Sequence, residues 1–219
     1  MSTPEPITEE DSATVPLTPR LATKDPRNRL NPKVRLIDDF KAIGVNGLGS
    51  AVDTDIPDTL DAALSIASLY ETLSPGVELG VFAVDFCHSY KNIPIAEDQR
   101  GYATIVLAPP SGPPMKATLR TQPCGARRAP ANWARVAAFL RWVCAHFFGI
   151  TLFVYVDDCF VAEPVDTVGS AFSAFRELVE LFGLPLDVDK EKRPAAEIDL
   201  LGAMVHFSLG RLARLKRLR

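Results

Sequence analysis

The chain has 219 residues, 47% of them apolar and 23% charged, with a formal net charge of -3. That length holds one large or two small globular domains with a sizeable core, and the acidic balance lacks the global basic signature of a nucleic-acid binder. The charge is uneven: residues 1–15 carry Glu5, Glu9, Glu10 and Asp11 with no base, whereas the closing GRLARLKRLR carries five bases and no acid. Cys87, Cys124, Cys144 and Cys159 lie far apart with no C-x-x-C pair, which indicates neither a zinc site nor a disulfide frame. Free thiols fit a reducing intracellular setting, cytoplasm or nucleus. The start MSTPEPITEEDS has neither the basic nor the apolar region of a secretory signal. The most apolar stretch, ANWARVAAFLRWVCAHFFGI, is broken by Arg135 and Arg141, so it reads as a core helix, and no membrane partner is expected.

Residues 1–32, punctuated by Pro4, Pro6, Pro16, Pro19, Pro26 and Pro32, read as a polar lead without fixed structure. KVRLIDDF has the length of a short strand. IPDTLDAALSIASLYETL carries apolar residues at helical spacing and stops at SPG. ELGVFAVDF is a continuous apolar run of strand length ending on Asp85 and Phe86. YATIVLAPP and PMKATLRTQ flank the turn PPSGPP as a hairpin. Pro130 opens a helix that runs to about Phe148 and closes at Gly149. ITLFVYV, then DD, then CFVAE reads as strand, turn and strand. GSAFSAFRELVELFG is an amphipathic helix stopped by Gly183, and IDLLGAMVHFSLG reads as a last hairpin. Interleaved strands and helices of this kind predict an α+β fold, an antiparallel sheet with helices on one face.

The adjacent carboxylates Asp157 and Asp158 are the feature that a plain hairpin leaves unexplained. Asp is a good turn residue, and an exposed Asp-rich turn is the ordinary reading. Buried together, two carboxylates disfavour each other's ionisation. A third, Asp85, ends another apolar strand. Strands ending side by side bring Asp85 and Asp157 together as an oxygen-rich site for hard divalent cations, the machinery that activates a hydroxyl and stabilises a leaving phosphate.

With these residues in view, VYVDD (154–158) resembles the Tyr-x-Asp-Asp signature of reverse transcriptases, and other segments follow in that family's order. RLIDDF (35–40) resembles the fingers segment whose arginine holds the incoming triphosphate. AVDFCHSYKNIPI (83–95) resembles the first palm motif. QPCGARRAPANW (122–133) is similar to the family's Pro-Gln-Gly-x-x-x-Ser-Pro motif. FGLPLDVDK (182–190) and LLGAMV (200–205) resemble the Gly-Leu-x-Leu-x-x-x-Lys and Phe-Leu-Gly segments of long-terminal-repeat and related retrotransposon enzymes. The likeness spans residues 33–206 and implies a polymerase palm with partial fingers.

The resemblance implies roles residue by residue. Asp85 and Asp157 are the metal ligands it assigns, with Asp158 beside them and the backbone carbonyl of Phe86 completing a site for two magnesium ions, manganese being the alternative. Tyr90, five residues after Asp85, occupies the position of an aromatic steric gate against a 2′-hydroxyl. Arg35 pairs with triphosphate oxygens, a task suited to a planar guanidinium. The accompanying fingers lysine has three candidates, Lys24, Arg29 and Lys33. Lys190 matches the lysine that protonates departing pyrophosphate, although DKEKR also reads as a solvated charge run. Cys124, Gly125 and Arg127 fall on the segment that touches the incoming nucleotide.

There are departures from the pattern. Cys124 replaces the Gln that normally precedes Gly125, and Ala129 replaces the Ser before Pro130; Gln122 cannot take the Gln position without a register shift. Arg127 and Arg128 could offset this by contacting phosphate or template. Only 17 residues follow Gly202, so residues 207–219 form a basic tail, and neither a thumb nor a ribonuclease H domain is expected within the chain. The implied activity is RNA-directed DNA polymerisation in a retrotransposon-like element, with an RNA or DNA template, a primer, deoxynucleoside triphosphates and the rest of a polyprotein as partners. The alternative is an inactive palm-fold remnant that only binds nucleic acid. A metal-dependent cyclase would also use paired carboxylates, but leaves the segments around Arg35 and Gly202 without a role. A 2′-hydroxyl has no room beside Tyr90, which disfavours an RNA-synthesising enzyme.

Overall fold

The computed structural model describes residues 1–14, 16–24, 34–48, 57–208 and 211–217. The chain divides into two compact units, Met1–Thr54 with His88–Trp133, and Asp55–Cys87 with Ala134–Arg219. In chain order the elements begin with β1 (Glu5–Pro6), α1 (Glu9–Thr14), β2 (Thr18–Lys24) and β3 (Val34–Asp38). Next come α2 (Leu60–Leu73), β4 (Leu79–Asp85), β5 (Thr104–Leu107), β6 (Met115–Thr118) and α3 (Ala129–Val143). The rest are β7 (Leu152–Tyr155), β8 (Asp158–Pro164), α4 (Val165–Leu181), β9 (Lys192–Ala195), β10 (Glu197–Leu200), β11 (Ala203–Ser208) and β12 (Arg211–Arg217).

The first unit holds one sheet in the order β1-β6-β5-β2-β3. β5 and β6 form the expected hairpin, with Thr104 opposite Thr118 and Leu107 opposite Met115. Ile105 and Ala117 face each other and are fully buried with Ala103 and Leu119. β2 runs antiparallel to β3 and pairs in parallel with β5 at Thr18↔Ile105. The proline-rich lead therefore contains described strands, contrary to the composition-based expectation. Pro19 lies at the start of β2, where a missing N–H costs least.

In the second unit the sheet order is β7-β8-β4-β9, antiparallel throughout. β4 is central, which explains its unbroken apolar sequence: both faces are covered, so no position is left for a polar side chain until Asp85. On one face Phe82 meets Phe172 edge-on at 5.2 Å and Phe175 at 6.2 Å, both from α4. Phe82 and Phe175 are fully buried, and each such ring contributes about 1.5–3 kcal/mol by leaving water. On the other face Leu79, Val81, Phe160 and Ala162 form a cluster with Ala67 of α2 and with Ile198, Val205 and Phe207 of the β10–β11 pair. The architecture is a mixed α+β one with largely antiparallel sheets.

Thr59 caps α2, accepting a hydrogen bond from the backbone N–H of Asp61, the local reason the helix starts there. α3 runs on into a π turn over Cys144–Phe148, closed by Gly149 donating to the Cys144 carbonyl. α4 starts at Val165, one turn before the predicted start. Leu201 and Gly202 both have positive φ, 50° and 78°. That is the geometry of a two-residue turn whose twist suits the β10–β11 hairpin. The basic end, whose arginines recur at near-helical spacing, is instead strand β12, paired along β11 from Ala203↔Arg217 to Ser208↔Arg211. None of the helices among the described residues is long and apolar enough to cross a membrane.

Candidate functional site

The two aspartates do not share the turn. The β7–β8 loop consists of Val156 and Asp157, while Asp158 is the first residue of β8 and pairs with Tyr155 on one side and Asp85 on the other. Directly opposed residues point to the same face, so Asp85 and Asp158 project together at the end of the two central strands. Val156 has φ 58°, a left-handed conformation that a β-branched side chain adopts only under strain. Asp157 stays close to β4 through its backbone carbonyl, which accepts the Phe86 N–H at 3.2 Å.

A third segment completes the cluster. Residues 185–187 lie alongside the end of β4: the Cys87 N–H donates to Pro185 O at 2.8 Å, and the Asp187 N–H to Asp85 O at 2.8 Å. Phe86 and Leu186 form an antiparallel bridge between them. This docking carries the short turn Val188–Lys190 back over the strand. The Lys190 Nζ then donates to Asp85 Oδ2 at 2.8 Å and lies 3.4 Å from Asp187. Asp85, Asp158, Asp189, Lys190, Glu191 and Lys192 line a pocket of about 310 Å³.

The electrostatics follow from this packing. Burial pushes the Asp158 carboxyl up to about 6, and the negative fields of Asp157 and Asp85 push the same way, against Lys190 and Lys192. Asp85 and Asp158 thus lie side by side within the field of Asp157, at a cost in charge repulsion that a bound cation would offset. Among the described residues, however, no three His, Cys, Asp or Glu side chains converge as a group that could hold a metal ion. The positive charge beside Asp85 is the Lys190 ammonium.

Several supporting residues carry no motif signal. Asp58 lies along the edge strand β7: its N–H donates to Val154 O at 2.9 Å, and its carboxylate accepts the Val154 N–H at 2.8 Å. Arg141 Nη1 donates to the same carboxylate oxygen at 2.8 Å, joining α3 to the aspartate hairpin. Tyr70 of α2 donates to the buried Glu163 at 3.2 Å, and burial with that carboxylate pushes the phenol up to about 12.

The remaining predicted residues belong to the first unit. Tyr90 lies half-buried in a short turn over Ser89–Asn92. The loop 122–128 is tied to the end of β3. Asp38 donates its N–H to Cys124 O at 3.0 Å, and Asn46 bridges Gly125 O and the Arg127 N–H at 3.0 and 2.8 Å. Arg20 holds the buried Asp38 through a two-point ion pair of 2.7 and 3.1 Å. Cys124 and Arg127 are exposed. Gln122 has a buried side-chain oxygen without a hydrogen-bond partner among the described residues. Arg35 is on β3 opposite Thr23; its side chain, and those of Lys24, Arg29 and Lys33, lie outside the described residues. Arg20, Asn46 and Asp58 escaped sequence reasoning because each acts through a partner remote in the chain.

No protein-family model matches the chain, and no curated protein matches it. Among solved structures it is similar to a foamy viral protease-reverse transcriptase in complex with double-stranded DNA, with a TM-score of 0.65 at 16% identity, over 87% of this chain and 29% of that one. A second foamy viral protease-reverse transcriptase complex with double-stranded DNA gives 0.61 at 18% identity, over 87% of this chain and 35% of that one. The chain therefore spans about a third of the length of these proteins. The likeness is one of fold, that of a reverse-transcriptase-like α+β architecture.

Proposed function

We propose that the chain is the fingers–palm part of an RNA-directed DNA polymerase of retrotransposon type, extending a primer on an RNA or DNA template with deoxynucleotides. The observation that carries this reading is the convergence of three distant segments at one sheet end: Asp85, the Asp157–Asp158 pair and Lys190. Convergence of the same residues that carry the motif resemblance is not required by packing alone, since Asp85 and Asp158 repel each other. The reverse-transcriptase-like fold supports it independently.

In this reading Asp85 and Asp157 would hold two divalent cations, magnesium or manganese, with Asp158 and the Phe86 carbonyl contributing to the donor set. When bound, such ions activate the primer hydroxyl and neutralise charge on the departing pyrophosphate. Lys190 gives its proton to that leaving group. Arg35 grips the triphosphate in two-point fashion. The Arg20–Asp38 pair and Asn46 hold the loop carrying Gly125 and Arg127, which orients the nucleotide. The motif resemblance gives Tyr90 the role of excluding a 2′-hydroxyl. Cys124, in place of the family's Gln, contributes only a small side chain.

Primer extension on poly(A)/oligo(dT), with magnesium and manganese in parallel, tests the proposal. Extension by the wild type and none by Asp157→Asn is expected. A wild type that binds primer–template but never extends it, with either ion, would overturn polymerisation and favour a remnant that only binds nucleic acid.

A further inference from the structure

We propose that the Lys190 ammonium is a built-in counter-ion of the carboxylate cluster, which a divalent cation must displace from Asp85 in order to bind. The inference rests on the metal-dependent reading above and adds to it a competition inside the protein. Its basis is the geometry of one ion pair. Asp85 is fixed: it ends a central strand, its side chain is 12% exposed, and its carbonyl is tied to Asp187. Lys190 is its opposite, 48% exposed on a short turn at the mouth of the pocket. A four-carbon stem with rotatable bonds lets such an ammonium swing out to water, while the aspartate has no such freedom.

The surroundings decide why a cation must be present in some form. Asp157 and Asp158 already press negative charge on the position next to Asp85, and Asp187 and Asp189 add more from the docked segment. A sparsely hydrated carboxylate in that field is costly without a counter-charge. Lys190 supplies one positive charge, which a hard dication exceeds, and the pocket of about 310 Å³ leaves room for the ion with several of its waters. Metal entry and release of the lysine are then a single exchange. Lys190, once released from Asp85, would be free to face the open side of the pocket.

Mn²⁺ binding, followed by the electron paramagnetic resonance of the free ion, is to be measured on the full chain as wild type, Lys190→Met, Lys190→Arg and Asp85→Asn. Thermal melting in chelator and in excess Mn²⁺ accompanies it. Lys190→Met is expected to bind at least about tenfold more tightly than wild type, because one unit of competing charge has gone. It is also expected to melt lower in chelator and to gain more from Mn²⁺. Lys190→Arg, which keeps the competing cation, is expected to bind no tighter than wild type, and Asp85→Asn to lose binding. In the wild type, Mg²⁺ titration is expected to shift the Lys190 Nζ resonance as the ammonium leaves Asp85. Equal Mn²⁺ affinity in wild type and Lys190→Met, or an unmoved Nζ resonance at metal saturation, overturns the exchange while leaving the metal-dependent reading intact. Absence of binding in both overturns the two together.

Discussion

A Cβ on Gly125 would lie 2.1 Å from the backbone oxygen of Asp38, and the glycine sits at φ 110°. Both the approach and the dihedral exclude any side chain at this position. Gly125→Ala is therefore expected to destabilise the first unit by roughly 2–4 kcal/mol, the sum of backbone strain and a clash against a carbonyl that β3 holds in place. Denaturant unfolding would measure it. A loss no larger than that of a surface substitution would contradict the close approach.

Asp58 gives the edge strand β7 a side-chain partner on the side where no strand pairs with it among the described residues. Asp58→Ala leaves the buried Val154 N–H without its acceptor and Arg141 without this carboxylate. The expected cost is roughly 2–3 kcal/mol, with faster hydrogen exchange at the Val154 amide. Asp58→Asn, which keeps an acceptor, should recover about half. Unchanged exchange at Val154 in the alanine variant would remove Asp58 from its supporting role.

Val156 holds a left-handed backbone conformation at the tip of the hairpin while partly exposed. Glycine relieves roughly 1–2 kcal/mol of strain there and returns about half of it through the greater freedom of the unfolded chain. Val156→Gly is thus expected to be more stable than wild type by about 0.5–1 kcal/mol, an unusual sign for a valine-to-glycine change. Val156→Ala, which keeps a Cβ, serves as the control. A destabilised glycine variant would mean that side-chain contacts outweigh the strain.

Asp158 has its carboxyl pushed up to about 6 in the folded chain from the ordinary 3.8, first by burial and then by Asp157 and Asp85. The folded state therefore holds this proton more tightly than the unfolded state. The stability it adds is fully present below about pH 4 and is lost as pH rises through about 6. Asp158→Asn, neutral at every pH, should melt higher than wild type above about pH 6 in chelator, with the difference shrinking toward pH 4. Melting curves over that range would decide it, and a difference independent of pH would rule out the linkage.

Under the proposed polymerase reading, Tyr90→Val is expected to relax discrimination against ribonucleotides by at least about tenfold, with deoxynucleotide incorporation partly retained. Asp157→Asn should lose both, because charge is removed where the transition state needs it. Single-nucleotide extension with dNTP and rNTP, alongside melting curves, is the measurement. A Tyr90→Val variant destabilised by roughly 2–4 kcal/mol with unchanged sugar selectivity would make Tyr90 a packing residue instead.

Local chemistry was enough to read much of this protein. The apolar run of β4, the amphipathic pattern of α4, the turn residues between β5 and β6 and the SPG stop after α2 each encode their element within a few residues, because periodicity and helix-stop signals act over that range. The ordered segments around Asp85, Asp157 and Lys190 were legible in the same way, as a resemblance. What those residues do to one another was not. Whether Asp158 lies in the turn or on the strand depends on a register set by seven cross-strand pairs with β4. The contact of Lys190 with Asp85 depends on residues 185–187 docking against that strand's end. Strand β12 took its conformation from the free edge of β11 rather than from its own spacing of arginines. Pairing partners remote in sequence carry these decisions, since a backbone edge, a buried charge or a shared face becomes available only once the chain has folded.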